Sequence, residues 1–319
     1  PLGAATTTVV VEDEAGSRVE RIVPRNEFRR SVALFSFDNE TGDTAVNWLS
    51  YGFPVAVEED LYQDMFLRVV SPWSDWYSDG LMRELSEAGF VEGVGAPLAL
   101  TRKLAADRHI DVLLRGSLQQ ADSGLVVESE LYDAARGHLI ARHGYTGDDP
   151  FELADRVSDQ LKRDLGLPSV QIADAPDLPA AEILTHSVSA FRHYAMGVLA
   201  FSNVDNTDAE RWLAAAVDDD STFALAHFIR AYNFWFLNRT EEAGAAMDAA
   251  GEHAYRLPER KRLLYRTLDY LVYQQEPERA FRTAQYWVEL YPDDIDGRQL
   301  LSELNGNRGR WEEEIAQLD

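Results

Sequence analysis

The sequence predicts two kinds of structure in one chain: an α/β domain with a mixed sheet and flanking helices, followed by an all-α solenoid of helix pairs. Three observations carry this. Up to about residue 166, β-branched runs and turn clusters alternate with helical patterns. Residues 167–179 then hold Pro168, Pro176 and Pro179, the composition of an extended linker. Beyond it Gly197 and Ala231, Ala209 and Ala243, and Ala216 and Ala250 each stand 34 residues apart. That is the period of stacked two-helix units, in which small side chains sit where the helices touch. The boundaries read from this pattern are 1–28 for a leading hairpin, 29–167 for the α/β domain, 168–188 for the linker and 189–319 for the repeats, the last of them truncated.

The elements follow in order. Residues 6–11 and 19–23 are β-branched runs joined by a turn whose Gly16 suits a hairpin. Residues 31–37 are nearly all apolar, as in a strand buried on both faces, and a turn cluster from Asp38 to Asp43 follows at once. Val46, Leu49, Phe53, Ala56, Val57 and Leu61 fall at helical spacing within 44–64, where Pro54 is able to kink or divide the helix. Residues 66–70 are the next strand, so strand, helix and strand predict a parallel crossover. After Trp73, Trp76 and Tyr77 come helices over 79–87 and 97–108, then strands over 110–118, 125–132 and 138–145, joined by tight turns. An amphipathic helix over 150–165 closes the domain.

In the repeats, a three-residue insertion carries the register on to Ala280 and to Pro292, where a helix must stop. A fourth unit starts near Ile295, with Gly309 and Trp311 at its turn and aromatic positions. Leu268 and Trp287 replace small residues of the third pair, which predicts a wider spacing there.

With 319 residues, 45% of them hydrophobic and 11% aromatic, the chain can build two real cores. Its 55 acidic against 30 basic residues leave a net charge of −25, which opposes an electrostatic hold on nucleic acid or an anionic membrane. No cysteine is present, which excludes disulfides, thiolate metal sites and a cysteine nucleophile but leaves the compartment open. No apolar run reaches the length of a membrane span. Pro1-Leu2-Gly3 reads as the remnant of a cleaved tag, which makes residue 1 an experimental boundary and leaves room for a membrane anchor or catalytic domain upstream of it.

Catalytic motifs are missing. There is no phosphate-loop pattern, no G-x-S-x-G and no paired histidine spacing, and Gly93-Val94-Gly95 follows a loop where a dinucleotide fingerprint needs a strand. No catalytic residue, cofactor or metal is therefore expected, and His109, His193 and His227 read as packing residues. Asp38, Asn39 and Gly42 form the best polar constellation, at the carboxyl end of a strand where open α/β sheets bind ligands. The competing reading makes them cap and turn residues for the next helix. Trp73, Trp76 and Tyr77 are either a recognition patch or a cover for a sheet edge or domain interface.

The 34-residue register resembles the tetratricopeptide repeat, with small residues at its eighth, twentieth and twenty-seventh positions. In that family the second, fifth, ninth, twelfth and thirteenth positions of each first helix face a concave groove. Carried over, they are Phe191, Tyr194, Val198, Phe201 and Ser202, then Leu225, Phe228, Tyr232, Trp235 and Phe236, then Arg262, Tyr265, Asp269, Val272 and Tyr273. The aromatic members, Phe191, Tyr194, Phe201, Phe228, Tyr232, Trp235, Phe236, Tyr265 and Tyr273, are the candidate binding residues for a protein or peptide, with burial against the linker or the α/β domain as the alternative.

The phrases "LFSFDNETGD", "WLSYGFP", "IDVLLRGSL", "LYDAARG" and "LIARHGYTG" resemble, in order and spacing, the TolB-amino-terminal-like α/β domain of bacterial regulators. The chain departs from it at Tyr51-Gly52-Phe53-Pro54 and in the Trp73–Tyr77 segment. The tandem resembles the carboxyl-terminal sensor region of bacterial membrane-anchored Ser/Thr protein kinases, and of some adenylate cyclases and transcription regulators. That resemblance implies a non-catalytic sensor on the extracytoplasmic side of the inner membrane, a cytoplasmic placement being the alternative. A scaffold for envelope assembly or homo-oligomerisation is the second reading, and an enzyme on the α/β domain the third.

Overall fold

The computed structural model describes residues 5–73, 80–122, 124–168 and 177–308. Seven strands and twelve α-helices lie among these described residues. Pro1 to Gly3, Trp76, Tyr77, Gly309, Trp311 and most of the proline-bearing linker fall outside them. The chain divides into two compact units: Arg30–Leu167 with Asp177–Arg256, and Pro1–Arg29 with Pro168–Pro176 and Leu257–Asp319.

In the second of these, the two β-branched runs pair as expected. β1 (Thr6–Glu12) and β2 (Arg18–Pro24) form an antiparallel hairpin, and Asp13 closes the turn by accepting from the amides of Ala15 and Ser17.

The larger unit is built on a five-stranded mixed sheet. β3 (Arg30–Asn39) lies between β4 (Leu67–Val70) and β5 (Val112–Gln120), parallel to both, and β6 (Leu125–Asp133) and β7 (Leu139–Gly147) continue antiparallel in the order β4-β3-β5-β6-β7. The apolar run 31–37 is buried throughout because both faces of β3 are covered. Residues Phe35, Leu113, Leu81, Leu85 and Leu104 cluster where the sheet meets α2 (Leu81–Glu87) and α3 (Leu98–Asp107). Elsewhere Phe37 meets Phe53 of α1 (Leu49–Leu61) edge to face, with ring centroids 5.0 Å apart.

Two local expectations change. The helical pattern of 44–64 is a separate 3₁₀ turn over Thr44–Val46 followed by α1. Pro54 sits inside α1 and neither ends nor divides it. Every residue of α1 is buried, since it packs on the sheet, on α4 (Pro150–Asp164), on α5 (Ala180–Ile183) and on α6 (Val188–Ser202). Such packing holds the helix against the loss of one backbone donor. Gly52 permits the approach to α6, because a β-carbon there would lie 2.8 Å from the Trp48 ring and 3.3 Å from Ala195 Cβ.

α6 and α7 (Asn206–Asp219) form one helix pair, α8 (Ala224–Phe236) and α9 (Thr240–Glu252) the next. Small residues make the contacts the spacing assigns to them: a β-carbon on Gly197 would lie 2.7 Å from Leu213 Cγ, and Ala209, Ala216, Ala231, Ala243 and Ala250 are all buried. The turns repeat as well. Val204 and Asn238, also 34 residues apart, both take positive φ, at 61° and 56°. Each closes its helix with the same two bonds, Val204 N to Phe201 O and Asp205 N to Ala200 O, then Asn238 N to Trp235 O and Arg239 N to Phe234 O. The helical region is thus consistent with repeats.

In the other unit α10 (Glu259–Leu268) runs into a π-helical turn over Asp269–Tyr273. Gln275, at φ 55°, then takes the corresponding turn position. α11 (Pro277–Leu290) and α12 (Ile295–Asn307) follow. The hairpin docks on these helices. Arg21 Nη2 donates to Glu259 Oε1 at 2.8 Å and Nη1 to the Tyr286 hydroxyl. Arg29 reaches Leu290 O and Asp293, while Glu14 meets Arg266 at 3.1 Å and Arg282 through its carbonyl.

Candidate functional site

The aromatic stripe divides by depth. Phe191 and Tyr194 on α6 and Phe228 on α8 are fully buried. Phe191 packs edge-on to Trp48 at 5.7 Å and lies 5.2 Å from Phe151 of α4, so it joins the helical region to the α/β part of the same unit. Tyr194 lies 4.8 Å from Phe223. Burial, with Glu59 and Glu58 nearby, lifts its phenol well above the ordinary value.

About two turns further along α6 and α8 the rings reach the surface. Phe201, Tyr232, Trp235 and Phe236 form one cluster: Tyr232 to Phe236 is 5.4 Å, Trp235 to Phe236 5.6 Å, Phe201 to Phe236 5.9 Å and Phe201 to Tyr232 6.0 Å, all tilted or edge-on. Tyr232 is buried and Phe201 half-buried beneath Trp235 and Phe236, which are each 49% exposed. The carboxyl end of α6 is pinned by Ser202 Oγ donating to Trp73 O and by Asn203 Nδ2 donating to Val91 O, each at 3.1 Å. Val204 follows, 79% exposed, a β-branched residue in the left-handed region. Nothing in the sequence reading marked Val204. Tyr265 and Tyr273 belong to the other unit, where both are half-buried.

Asp38 and Asn39, expected to open the turn, are the last residues of β3, and Gly42 lies in the self-bonded turn that follows. Asn39 Oδ1 accepts from Thr41 N and Oγ1 at 3.0 and 2.7 Å, its Nδ2 donates to Asp43 O and Asn47 Oδ1, and Asp43 caps the 3₁₀ turn through Ala45 N. Asp38 pairs with Arg115 at 3.1 Å, and Gly42 takes φ 78°. Of the histidines, His193 stacks on Trp212 beside Asp219, and His227 bonds Ser221 O, its pKa lowered chiefly by burial. No group of three or more potential metal ligands occurs among the described residues. No helix among them is long and apolar enough to cross a membrane.

A polar node that the sequence reading passed over lies between α1, α4 and residues 177–180. Glu58, Glu59 and Asp60 are consecutive and all buried on α1. Glu58 accepts from Ser71 Oγ at 2.6 Å, while Asp60 accepts from Ser158 Oγ and faces Lys162 Nζ at 3.9 Å. Lys162 also reaches Asp177 at 3.5 Å. Gln63 holds the backbone of Leu178 with two bonds of 2.8 Å, and Ala180 N donates to Asp155 Oδ1. Three acids in a row inside "FPVAVEEDL" were the only available sign.

No protein-family model matches the chain, and no curated protein matches it. Solved structures resemble parts of it weakly. The LpoB carboxyl-terminal domain from Salmonella enterica is 12% identical over 38% of this chain and 83% of its own, with a TM-score of 0.31. TolB from Acinetobacter baumannii is 14% identical over 50% of this chain and 31% of its own, at 0.30. Lipoprotein GNA1162 from Neisseria meningitidis is 12% identical over 44% and 99%, at 0.29.

Proposed function

We propose that the chain is the non-catalytic receiving part of a bacterial envelope signalling protein, in which a tetratricopeptide-type array beside a TolB-like α/β domain captures a protein or peptide. A membrane Ser/Thr kinase as the parent protein is the reading the tandem's resemblance favours. The observation that carries the binding role is the ring cluster at the ends of α6 and α8, where Trp235 and Phe236 stand half out of the surface on a buried aromatic base. Exposed aromatics on a rigid base lose little side-chain freedom on binding and dominate interface energies. Replacing both Trp235 and Phe236 by alanine should abolish capture of an envelope protein by the immobilised chain, since such rings each carry about 2 kcal/mol or more of binding. The melting temperature should hold. Capture at wild-type level by the double variant refutes the assignment.

A further inference from the structure

We propose that residues 177–183 form a proton-linked latch on α1 and α4, which closes over the Asp60 carboxyl when that group carries a proton and loosens as it ionises. The segment is held at four points: the paired Gln63 bonds to Leu178, the Asp155 bond to Ala180 N, the Lys162 contact with Asp177 and the packing of α5 on α1 and α4. Asp60 lies beside it, buried, bonded to Ser158 and Gln63, and Gln63 and Lys162 each reach both Asp60 and the segment.

Two effects oppose each other at this carboxyl. Lys162 and the Ser158 hydroxyl favour the ion, whereas removal from water disfavours it, and Asp155 and Asp177 add like charge. Desolvation wins and pushes the Asp60 pKa up to about 7. The other charged groups here are Asp159 on α4 and Asp64 after α1, both acting on Lys162. Glu58 points to Ser71, and Glu59 lies near Tyr194. Asp155, which holds the Ala180 amide, is shifted upward too, chiefly by burial.

The sign follows from linkage. The closed state binds the proton more tightly than an open state with a hydrated carboxyl of ordinary pKa near 4, so opening is suppressed in acid. It rises by up to about tenfold per pH unit between about 4 and 7 and levels off above.

Hydrogen exchange of the Leu178 and Ala180 amides in the full chain, corrected for the intrinsic pH dependence of exchange, reads this directly. About tenfold or more additional opening is expected between pH 5 and pH 7, with a plateau above. Asp60→Asn should remove most of that change while keeping the protection seen at pH 5. Opening that is flat in the wild type, or a full pH dependence retained in Asp60→Asn, overturns the latch. Carbon NMR titration of the Asp60 carboxyl needs no variant: a midpoint near 7 is expected, and one near 4 refutes the proposal.

Discussion

Replacing Gly197 by alanine sets two effects of known size against each other. In an isolated helix the change gains about 1 kcal/mol, because glycine is the poorer helix former. Here the new β-carbon would lie 2.7 Å from Leu213 Cγ, 2.9 Å from its Cδ2 and 3.3 Å from its backbone nitrogen. Leu213 is fully buried and cannot swing away, so α6 and α7 must separate, and overpacking of this kind costs about 1–3 kcal/mol. The packing cost wins. Gly197→Ala should destabilise by up to about 2 kcal/mol in urea unfolding, a fall of roughly 2–4 °C in melting temperature per kcal/mol for a unit of this size. A double-mutant cycle isolates the contact. Leu213→Ala alone should cost about 2–5 kcal/mol, and in that background Gly197→Ala should turn neutral or stabilising. A stabilising Gly197→Ala in the wild-type background would refute the close approach of the two helices.

Two further expectations concern the same unit. Arg256 is buried and donates to Glu182 O at 2.6 Å, to Thr222 Oγ1 and O at 2.9 and 3.2 Å and to Ala181 O at 3.3 Å, so Arg256→Met should cost about 3–5 kcal/mol in urea unfolding. A cost below about 1 kcal/mol would show that those carbonyls find other donors. Val204→Gly should raise stability by about 1 kcal/mol in thermal unfolding by relieving a left-handed β-branched residue, and a lowered melting temperature would contradict the strain.

Local chemistry made much of the fold legible. The nearly continuous apolar run of β3, the glycine-bearing turns and the interval linking Gly197 to Ala231 are signals within reach of a single sequence, and each led to an element found within a few residues of its expected place. The left-handed turns that end these helices were not legible, since valine, asparagine and glutamine occupy the position at 204, 238 and 275 and share no composition that marks it. Depth was not legible. Phe191 and Trp235 look equivalent in spacing, and what separates them is the arrival of Trp48 and Phe151 from distant parts of the chain to cover the first. Asp60 was hidden by abundance, because among 55 acidic residues only burial distinguishes a group that titrates near neutrality. Pro54 could not decide its helix for a related reason: propensity is a local quantity, and α1 is held by what packs on it.

The docking of the β1–β2 hairpin on α10 and α11 has a consequence for the order in which the protein is made. Arg21 and its partner Glu259 are separated by 238 residues. At a synthesis rate of about 5–20 residues per second, roughly 12–50 s pass between the two. A lone two-stranded hairpin is marginal in water, so for that time the "TTTVVV" strand leaves the ribosome with its edges open, while the sheet and the first two helix pairs can complete themselves. The acidic turn, Glu12, Asp13 and Glu14, then does for the nascent chain what charge does for any exposed strand: it discourages pairing with a neighbour on the same message until the helices that close over it have been translated.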